Sequence, residues 1–129
     1  MKKLMGILMC MVLTAAALSA CNTAAQTLTE EDDGKTVILN KGETLVVKLD
    51  GNPTTGYGWQ LADFDQSVLK SAGDPDYKSD SNLIGSGGMY TYKFTAQDSG
   101  EVVLKFSYLR SWETDTSPYK TFTVTVDVK

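Results

Sequence analysis

The stretch Val102-Val103-Leu104-Lys105-Phe106-Ser107-Tyr108 alternates large apolar side chains with smaller or polar ones. A repeat of two residues is the periodicity of a β-strand that turns one face to a core and the other toward water. The residues at 102, 104, 106 and 108 form the apolar face. This stretch therefore predicts a β-strand that runs through the middle of an all-β domain.

The same alternation recurs along the chain on both sides of this strand. The other long predicted strands are 44–49, 89–95 and 121–128, and shorter ones are 36–39, 58–61 and 68–71. Clusters of Gly, Asp, Asn and Pro separate them and favour turns. About seven to eight short strands without helices predict an antiparallel β-sandwich of immunoglobulin-like size, with a small barrel as the alternative.

Residues 52–57 cannot be regular structure, although Trp59 directly after them has the bulk of a core residue. Pro53 fixes its own φ and lacks a backbone donor, and Gly56 permits backbone angles that other residues avoid. We therefore expect a stiff exposed loop that leads into a buried tryptophan. Tyr57 lies between them, and we expect it to support the loop from beneath.

The N-terminus has the features of an export signal. Lys2 and Lys3 precede an uncharged apolar run over 4–18, too short for a comfortable bilayer span, and Leu18-Ser19-Ala20-Cys21 follows. This end resembles the lipobox of bacterial lipoproteins, which implies cleavage before Cys21, a lipid anchor on its thiol, and placement in the bacterial cell envelope, periplasmic or at the cell surface. The alternative is an ordinary signal peptide cut after Ala20, which leaves Cys21 as a free thiol or an intermolecular disulfide partner.

The mature chain is expected to contain one folded domain. We predict a signal peptide over 1–20, a flexible tether over 21–34 that has four acidic residues and no apolar period, and a domain over 35–129. Cys10 leaves with the signal, so no internal disulfide can form. Without residues 1–20 the chain keeps 10 of its 12 basic residues against 16 acidic ones, a net charge near −6. This charge disfavours nucleic acid and anionic membrane surfaces as partners, and we expect a monomer.

Several chemistries are excluded or unsupported by composition. The chain has no histidine, which rules out Ser-His-Asp and Cys-His arrangements and leaves too few ligands for zinc. No dinucleotide or P-loop motif is present, and Asp74, Asp76 and Asp80 do not fit the spacing of an EF-hand, so we expect a solvated acidic loop there. We expect no enzymatic activity, no cofactor and no metal.

Three loops remain as candidate functional segments, and in this strand order all three emerge at one end of a sandwich. We call residues 52–57 the first loop, residues 85–88 the second loop and residues 110–112 the third loop. Glycines in the first two allow close backbone approach to a partner. Arg110 and Trp112 are residue types enriched in binding hot spots, and polar neighbours predict that Trp112 is exposed.

Together these loops resemble the pattern of the chagasin family of cysteine peptidase inhibitors: an NPTTGY loop followed by Trp, a GxGG loop and an RPW-type loop. In the third loop, Ser111 stands where the family has proline. The resemblance implies an immunoglobulin-like sandwich that inhibits papain-like cysteine peptidases reversibly and without covalent chemistry. The first loop would enter the active-site cleft, flanked by the other two. The implied peptidase-binding residues are Asn52, Pro53, Thr54, Thr55, Gly56, Tyr57, Gly85, Ser86, Gly87, Gly88, Arg110 and Trp112.

Two other classes of function are the alternatives. An envelope lipoprotein that binds a glycan or another protein through these loops would bind its partner without inhibiting a peptidase. An enzyme such as a glycosidase with paired Asp or Glu side chains would turn over a substrate. Nothing in the sequence points to such a carboxylate pair.

Overall fold

The computed structural model describes residues 25–113 and 115–129. These residues form nine β-strands in two sheets. The strands are β1 (Ala25–Leu28), β2 (Thr36–Leu39), β3 (Thr44–Gly51), β4 (Gly58–Leu61), β5 (Leu69–Ser71), β6 (Asp76–Ser79), β7 (Gly88–Ala96), β8 (Gly100–Leu109) and β9 (Lys120–Val128). Two short 3₁₀ helices lie at Glu30–Asp32 and Pro53–Thr55. The predicted immunoglobulin-like β-sandwich is confirmed, with nine strands where seven to eight were expected.

The two sheets divide the strands without sharing any of them. The first sheet has the order β1-β3-β7-β5, with β6 pairing beside β5 along the same edge of β7. The second sheet has the order β2-β9-β8-β4. The long strands β3 and β7 form the centre of the first sheet, and β8 and β9 form the centre of the second. These four long strands were the clearest alternating runs of the sequence.

The core lies between the apolar faces that the alternation predicts. Leu45, Val47 and Leu49 on β3 are fully buried, and so are alternate residues of β8 and β9. Phe106 is central, because its ring packs against Tyr92 and Phe122 with centroids 4.9 and 5.8 Å away. Trp59 is buried as predicted. Each such side chain contributes about 1.5–3 kcal/mol by leaving water, which gives the domain a core without a disulfide.

Not every strand pair is antiparallel, so that part of the prediction is wrong. β1 runs parallel to β3, and β2 runs parallel to β9. Both β1 and β2 are edge strands in different sheets, and the 3₁₀ turn at Glu30–Asp32 joins them. The alternation of a strand fixes which side chains face the core but carries no information about strand direction. Only the connections determine it.

The expected acidic loop is also partly wrong, because Asp76–Ser79 forms β6. Every residue of this strand is exposed, so the sequence shows no buried face to detect. Backbone pairing with β7, in register Asp76↔Thr91 to Ser79↔Gly88, holds it in place. A wholly exposed edge strand has no alternation of apolar and polar residues, so a prediction based on that alternation misses it.

The predicted tether is wrong over 25–34. β1 pairs with β3, and Leu28 is buried in the core. Three of its acidic side chains accept hydrogen bonds from the domain: Glu30 from Lys120 Nζ (2.8 Å), Asp32 from Lys35 Nζ (2.8 Å) and Asp33 from Thr123 N (2.7 Å). One buried leucine among polar residues sets up no period. The described domain therefore includes Ala25.

The predicted signal peptide over 1–20 and the predicted lipidation site Cys21 lie outside the described residues. Among the residues that are described, no helix has the length and apolar character needed to cross a membrane.

Candidate functional site

Strand register brings the three predicted loops to one end of the sandwich. The first loop follows β3, whose last residue, Gly51, pairs with Gly88 at the start of β7. The second loop leads into that start. The third loop follows β8, whose last residue, Leu109, pairs with Gly58 just after the first loop. All three loops thus sit at neighbouring strand ends, as the sequence predicts.

The prediction that the first loop has no regular structure is wrong at Pro53–Thr55, which forms a short 3₁₀ helix and folds the loop on itself. The side-chain oxygen of Asn52 accepts bonds from Thr54 N at 3.1 Å and Thr54 Oγ1 at 2.6 Å. Thr55 Oγ1 donates to the Asn52 carbonyl at 2.6 Å. This is N-capping by Asn with Pro at the first helical position, a combination that fixes a turn without outside help. Pro53, Thr54 and Thr55 remain exposed at its tip.

Gly56 ends the turn in a conformation that requires glycine. Its φ is +81°, in the left-handed region, and a Cβ placed there would overlap the ring of Trp112. Trp112 therefore lies directly against the backbone of the first loop. The same contact makes the first and third loops one surface.

The two aromatic residues after the turn pack beneath it. Trp59 is buried and donates its indole N–H to the Asp50 carbonyl at 2.9 Å. Tyr57 is half-buried and stacks on Tyr108, with centroids 5.3 Å apart and planes 21° apart. Tyr57 thus packs beneath the turn, and its supporting role stays a prediction.

The second loop is tied to the first loop and to β6. Asn52 Nδ2 donates to the Gly85 carbonyl at 2.9 Å, and Ser86 Oγ lies 3.0 Å from Ser79 Oγ. Gly85 is exposed, whereas Ser86 and Gly87 are partly buried. Asn52 thus links the cap of the first loop to the second loop with a single side chain.

Gly88 does not lie on the exposed surface with the other loop residues. It is the buried first residue of β7, and a Cβ there would overlap the Lys78 carbonyl and the Tyr77 side chain. A glycine is needed at this position because β6 approaches the backbone too closely for a side chain. The prediction that Gly88 belongs to a binding surface is therefore replaced by a packing role.

The third loop presents Trp112 outward, with 65% of its surface exposed, and holds Arg110 inward. Arg110 Nε donates to the Thr55 carbonyl at 3.1 Å, and the guanidinium carbon lies 4.4 Å above the centre of the Tyr57 ring. The exposure of Trp112 agrees with its polar neighbours. The inward position of Arg110 was not foreseen.

Two residues beneath the loops were missed by sequence reasoning. Tyr108 Oη accepts a hydrogen bond from Asn52 N at 2.7 Å. Lys120 Nζ donates to the Asp50 carbonyl at 3.2 Å and lies 5.2 Å from the centre of the Trp59 ring. Tyr108 is the last residue of an alternating core face in the sequence. Its polar hydroxyl at the end of the strand was the one sequence feature that could have predicted a contact with the loops. Lys120 gave no such signal, because a lysine among polar residues at the start of a predicted strand is normally solvent-exposed.

The loop end also carries the most exposed large apolar side chains of the described chain: Leu83, Ile84, Trp112 and Tyr119. Leu83 and Ile84 precede Gly85, and Tyr119 precedes β9. Exposed apolar side chains grouped at one end of a domain are typical of interaction surfaces. Of these four side chains, only Trp112 was predicted from the sequence to be exposed at a functional loop.

Two ion pairs lie at this end, Arg110 with Glu113 at 3.2 Å and Lys120 with Glu30 at 2.8 Å. Tyr90, beneath the first and second loops, has its pKa raised by burial first, and then by the nearby phenols of Tyr108 and Tyr77. Over 25–113 and 115–129, no three side chains of Asp, Glu, Cys or His gather as a metal site. The arrangement therefore offers preformed contacts between the loops.

Fold and loops together define a class: a small β-sandwich that presents three interlocked loops as one binding surface. Similarity to known proteins identifies the family within this class. The family model described as chagasin family peptidase inhibitor I42 matches residues 38–126. Amoebiasin-1 of Entamoeba histolytica is 33% identical over 105 residues, which cover 79% of this chain and 98% of the relative. The chain therefore belongs to the chagasin family of peptidase inhibitors.

Solved structures agree with the fold. The crystal structure of the cysteine protease inhibitor EhICP2 from Entamoeba histolytica has a TM-score of 0.73 at 22% identity, covering 81% of this chain and 96% of that one. The structure of PbICP-C in complex with falcipain-2 has a TM-score of 0.56 at 22% identity, covering 83% and 92%. At these identities the similarity concerns the sandwich itself. As a member of an inhibitor family, the protein is not an enzyme.

Proposed function

We propose that this protein is a reversible, non-covalent inhibitor of papain-like cysteine peptidases. In this proposal the first loop enters the active-site cleft, and the second and third loops contact the walls on either side. The peptidase-facing residues are the tip of the first loop, the exposed part of the second loop and Trp112. The inhibitor is effective because it occupies the cleft, and no bond forms or breaks.

The observation that carries this proposal is that the three loops are already locked together before any partner binds. Asn52 connects the first loop to Gly85, and Arg110 connects it to the third loop. A loop that is ordered in the free protein loses little conformational freedom on binding, so more of its contact energy appears as affinity. A flexible loop of the same sequence would instead lose affinity, and a peptidase would cleave it more readily.

An inhibition panel tests the proposal. Purified domain spanning 25–129 is titrated against several papain-like peptidases, with a serine peptidase as the matched control. We expect competitive inhibition of papain-like enzymes with submicromolar constants, full recovery of activity on dilution, and no effect on the serine peptidase. Absence of inhibition across the papain-like enzymes would refute the proposal.

We also propose that the chain is exported and carries a lipid anchor on Cys21, with the domain in the bacterial cell envelope. The support is the apolar run over 4–18 and the sequence Leu18-Ser19-Ala20-Cys21. Mass spectrometry of the membrane-extracted protein checks it. A first peptide that begins at Cys21 and carries the mass of a diacylglyceryl group is expected, whereas an unmodified Cys21 or a retained signal would contradict the anchor.

The topology bears on how an anchored domain would present its loops. β1 is parallel to β3 with Ala25 beside Thr44, so the described chain begins at the end of β3 opposite the first loop. The eight residues of β3 separate these ends by about 25 Å. Only residues 22–24 lie between Cys21 and Ala25. An anchor at Cys21 therefore holds the end remote from the inhibitory loops, which leaves them accessible to a peptidase.

A further inference from the structure

The guanidinium of Arg110 is occupied inside the free protein. Its Nε donates to the Thr55 carbonyl at 3.1 Å, and one terminal nitrogen donates to Glu113 Oε1 at 3.2 Å. Its plane lies over the Tyr57 ring at 4.4 Å, with the Trp112 ring centre 5.9 Å from the guanidinium carbon. About one-third of the side chain is exposed. Two of its five N–H donors are thus used within the protein, and the Tyr57 ring lies against the guanidinium.

These contacts join the two loops at their most exposed points. Thr55 lies at the tip of the first loop, and Trp112 is the outermost side chain of the third loop. Trp112 in turn rests on Gly56, where only glycine leaves room for its ring. Arg110, Gly56 and Trp112 thus form one layered contact, which we call the loop brace.

We propose that Arg110 is a positioning residue, which acts through the loop brace to hold Trp112 and the first loop in their binding arrangement. It does not itself contact the peptidase. This proposal rests on the proposed inhibitory function and replaces the expectation that Arg110 binds the target. The third loop needs such a brace because Ser111, unlike proline, leaves its backbone free to rotate.

The physical basis is the planar fork of arginine. It can donate to a carbonyl, pair with a carboxylate and stack on an aromatic ring at the same time, which lysine cannot do. The ion pair with Glu113, in which both side chains are about one-third exposed, adds little by itself. The charged hydrogen bond to Thr55 and the stacking on Tyr57 provide most of the interaction energy that fixes the first loop against the third.

The first test measures loop order in the free protein. The whole chain has two tryptophans, so two indole N–H signals report on Trp112 and on buried Trp59 as an internal control. In Arg110→Ala we expect the heteronuclear NOE of the Trp112 indole to fall while that of Trp59 is unchanged. An unchanged Trp112 signal would overturn the proposal. This readout needs no peptidase and therefore stands even if inhibition fails.

The second test is a double-mutant cycle on inhibition with Arg110→Ala and Ser111→Pro. Arg110→Ala should raise the inhibition constant about tenfold, the loss expected for one charged hydrogen bond. Proline at 111 restricts the loop by a route independent of the arginine, so it should restore most of the loss in Arg110→Ala and change the parent protein little. Equal effects of Ser111→Pro in both backgrounds would mean that Arg110 contacts the peptidase directly. A parent protein that inhibits no papain-like enzyme would refute the proposed function and leave the NOE test of the brace intact.

Discussion

At the scale of single residues, the two tryptophans of this chain have opposite roles. Trp59 is buried and bonded to the Asp50 carbonyl, whereas Trp112 is exposed against the first loop. Trp59→Ala should cost about 3–5 kcal/mol of the free energy of unfolding, because it leaves a large cavity. Trp112→Ala should change that free energy by less than about 0.5 kcal/mol and weaken inhibition at least tenfold.

Thermal unfolding and inhibition constants, measured on both variants, check this pair. The assignments would be wrong if Trp59→Ala kept the parent stability, or if Trp112→Ala inhibited as well as the parent. Each variant serves as the control for the other, since both remove the same atoms.

Gly56 gives a second prediction at this scale, with Gly58 as its matched control. Gly56→Ala places a Cβ at positive φ and into the Trp112 ring, so the first and third loops must separate. Gly58→Ala meets no atom within 4 Å. We expect Gly56→Ala to raise the inhibition constant by roughly one to two orders of magnitude, in line with strain of about 1–3 kcal/mol. Equal inhibition constants for the two variants would contradict the contact between Gly56 and Trp112.

Residue-level prediction from sequence succeeded where one side chain reports on its own environment. Trp59 follows a loop and starts an apolar strand, and Trp112 has polar neighbours, so burial and exposure could be read from local context. Arg110 and Gly88 could not be read this way. Their roles depend on contacts with Thr55 and with β6, which lie far away in sequence.

At the scale of elements, the strands with a buried face were predictable and those without one were not. β3, β7, β8 and β9 each have an alternating core face of several residues. β6 is wholly exposed and β1 buries Leu28 alone, so neither has a period. The parallel pairing of β1 with β3 and of β2 with β9 was not predictable either, since it follows from the connections and not from the side-chain pattern.

The N-terminal segment supplies the prediction at this scale. Removing 25–34 deletes β1, including the buried Leu28, so the core side chains that Leu28 covers become exposed. Lys120 also loses its hydrogen bond to Glu30. A chain starting at Lys35 should lose at least about 2 kcal/mol of unfolding free energy relative to one starting at Ala25, and Leu28→Ala should lose a similar amount. Denaturant unfolding measures both, with exposed Thr27→Ala as the control. Equal stability of the two chains would restore the tether interpretation for 25–34.

At the scale of the whole molecule, the chain has no histidine, so few side chains titrate near neutral pH. The pH dependence of stability is therefore most informative at alkaline pH, where tyrosines ionise. Burial raises the pKa of Tyr92 to about 12, and the nearby Tyr90 and Asp74 add to the rise. An unfolded tyrosine ionises near pH 10. Between these values the unfolded chain has lost a proton that the folded protein keeps, so stability should fall as the pH rises from about 10 toward 12.

Melting temperatures measured from pH 7 to pH 11 check this dependence. Tyr92→Phe removes the group that must ionise, so its melting temperature should fall less steeply above pH 10 than that of the parent. Tyr90, whose pKa burial also raises, keeps some of the slope in the variant. A parent and variant that fall in parallel would show that Tyr92 is not the source.

The central claim is that the interlocked loops inhibit by occupying the active-site cleft. The most direct measurement compares binding of the domain to one papain-like peptidase in two forms, with the cleft open and with the cleft filled by a peptidyl group attached to the catalytic cysteine. Calorimetric titration should give tight binding to the open form and no measurable binding to the filled form. Equal affinity for the two forms would contradict the claim, because the first loop would then bind outside the cleft.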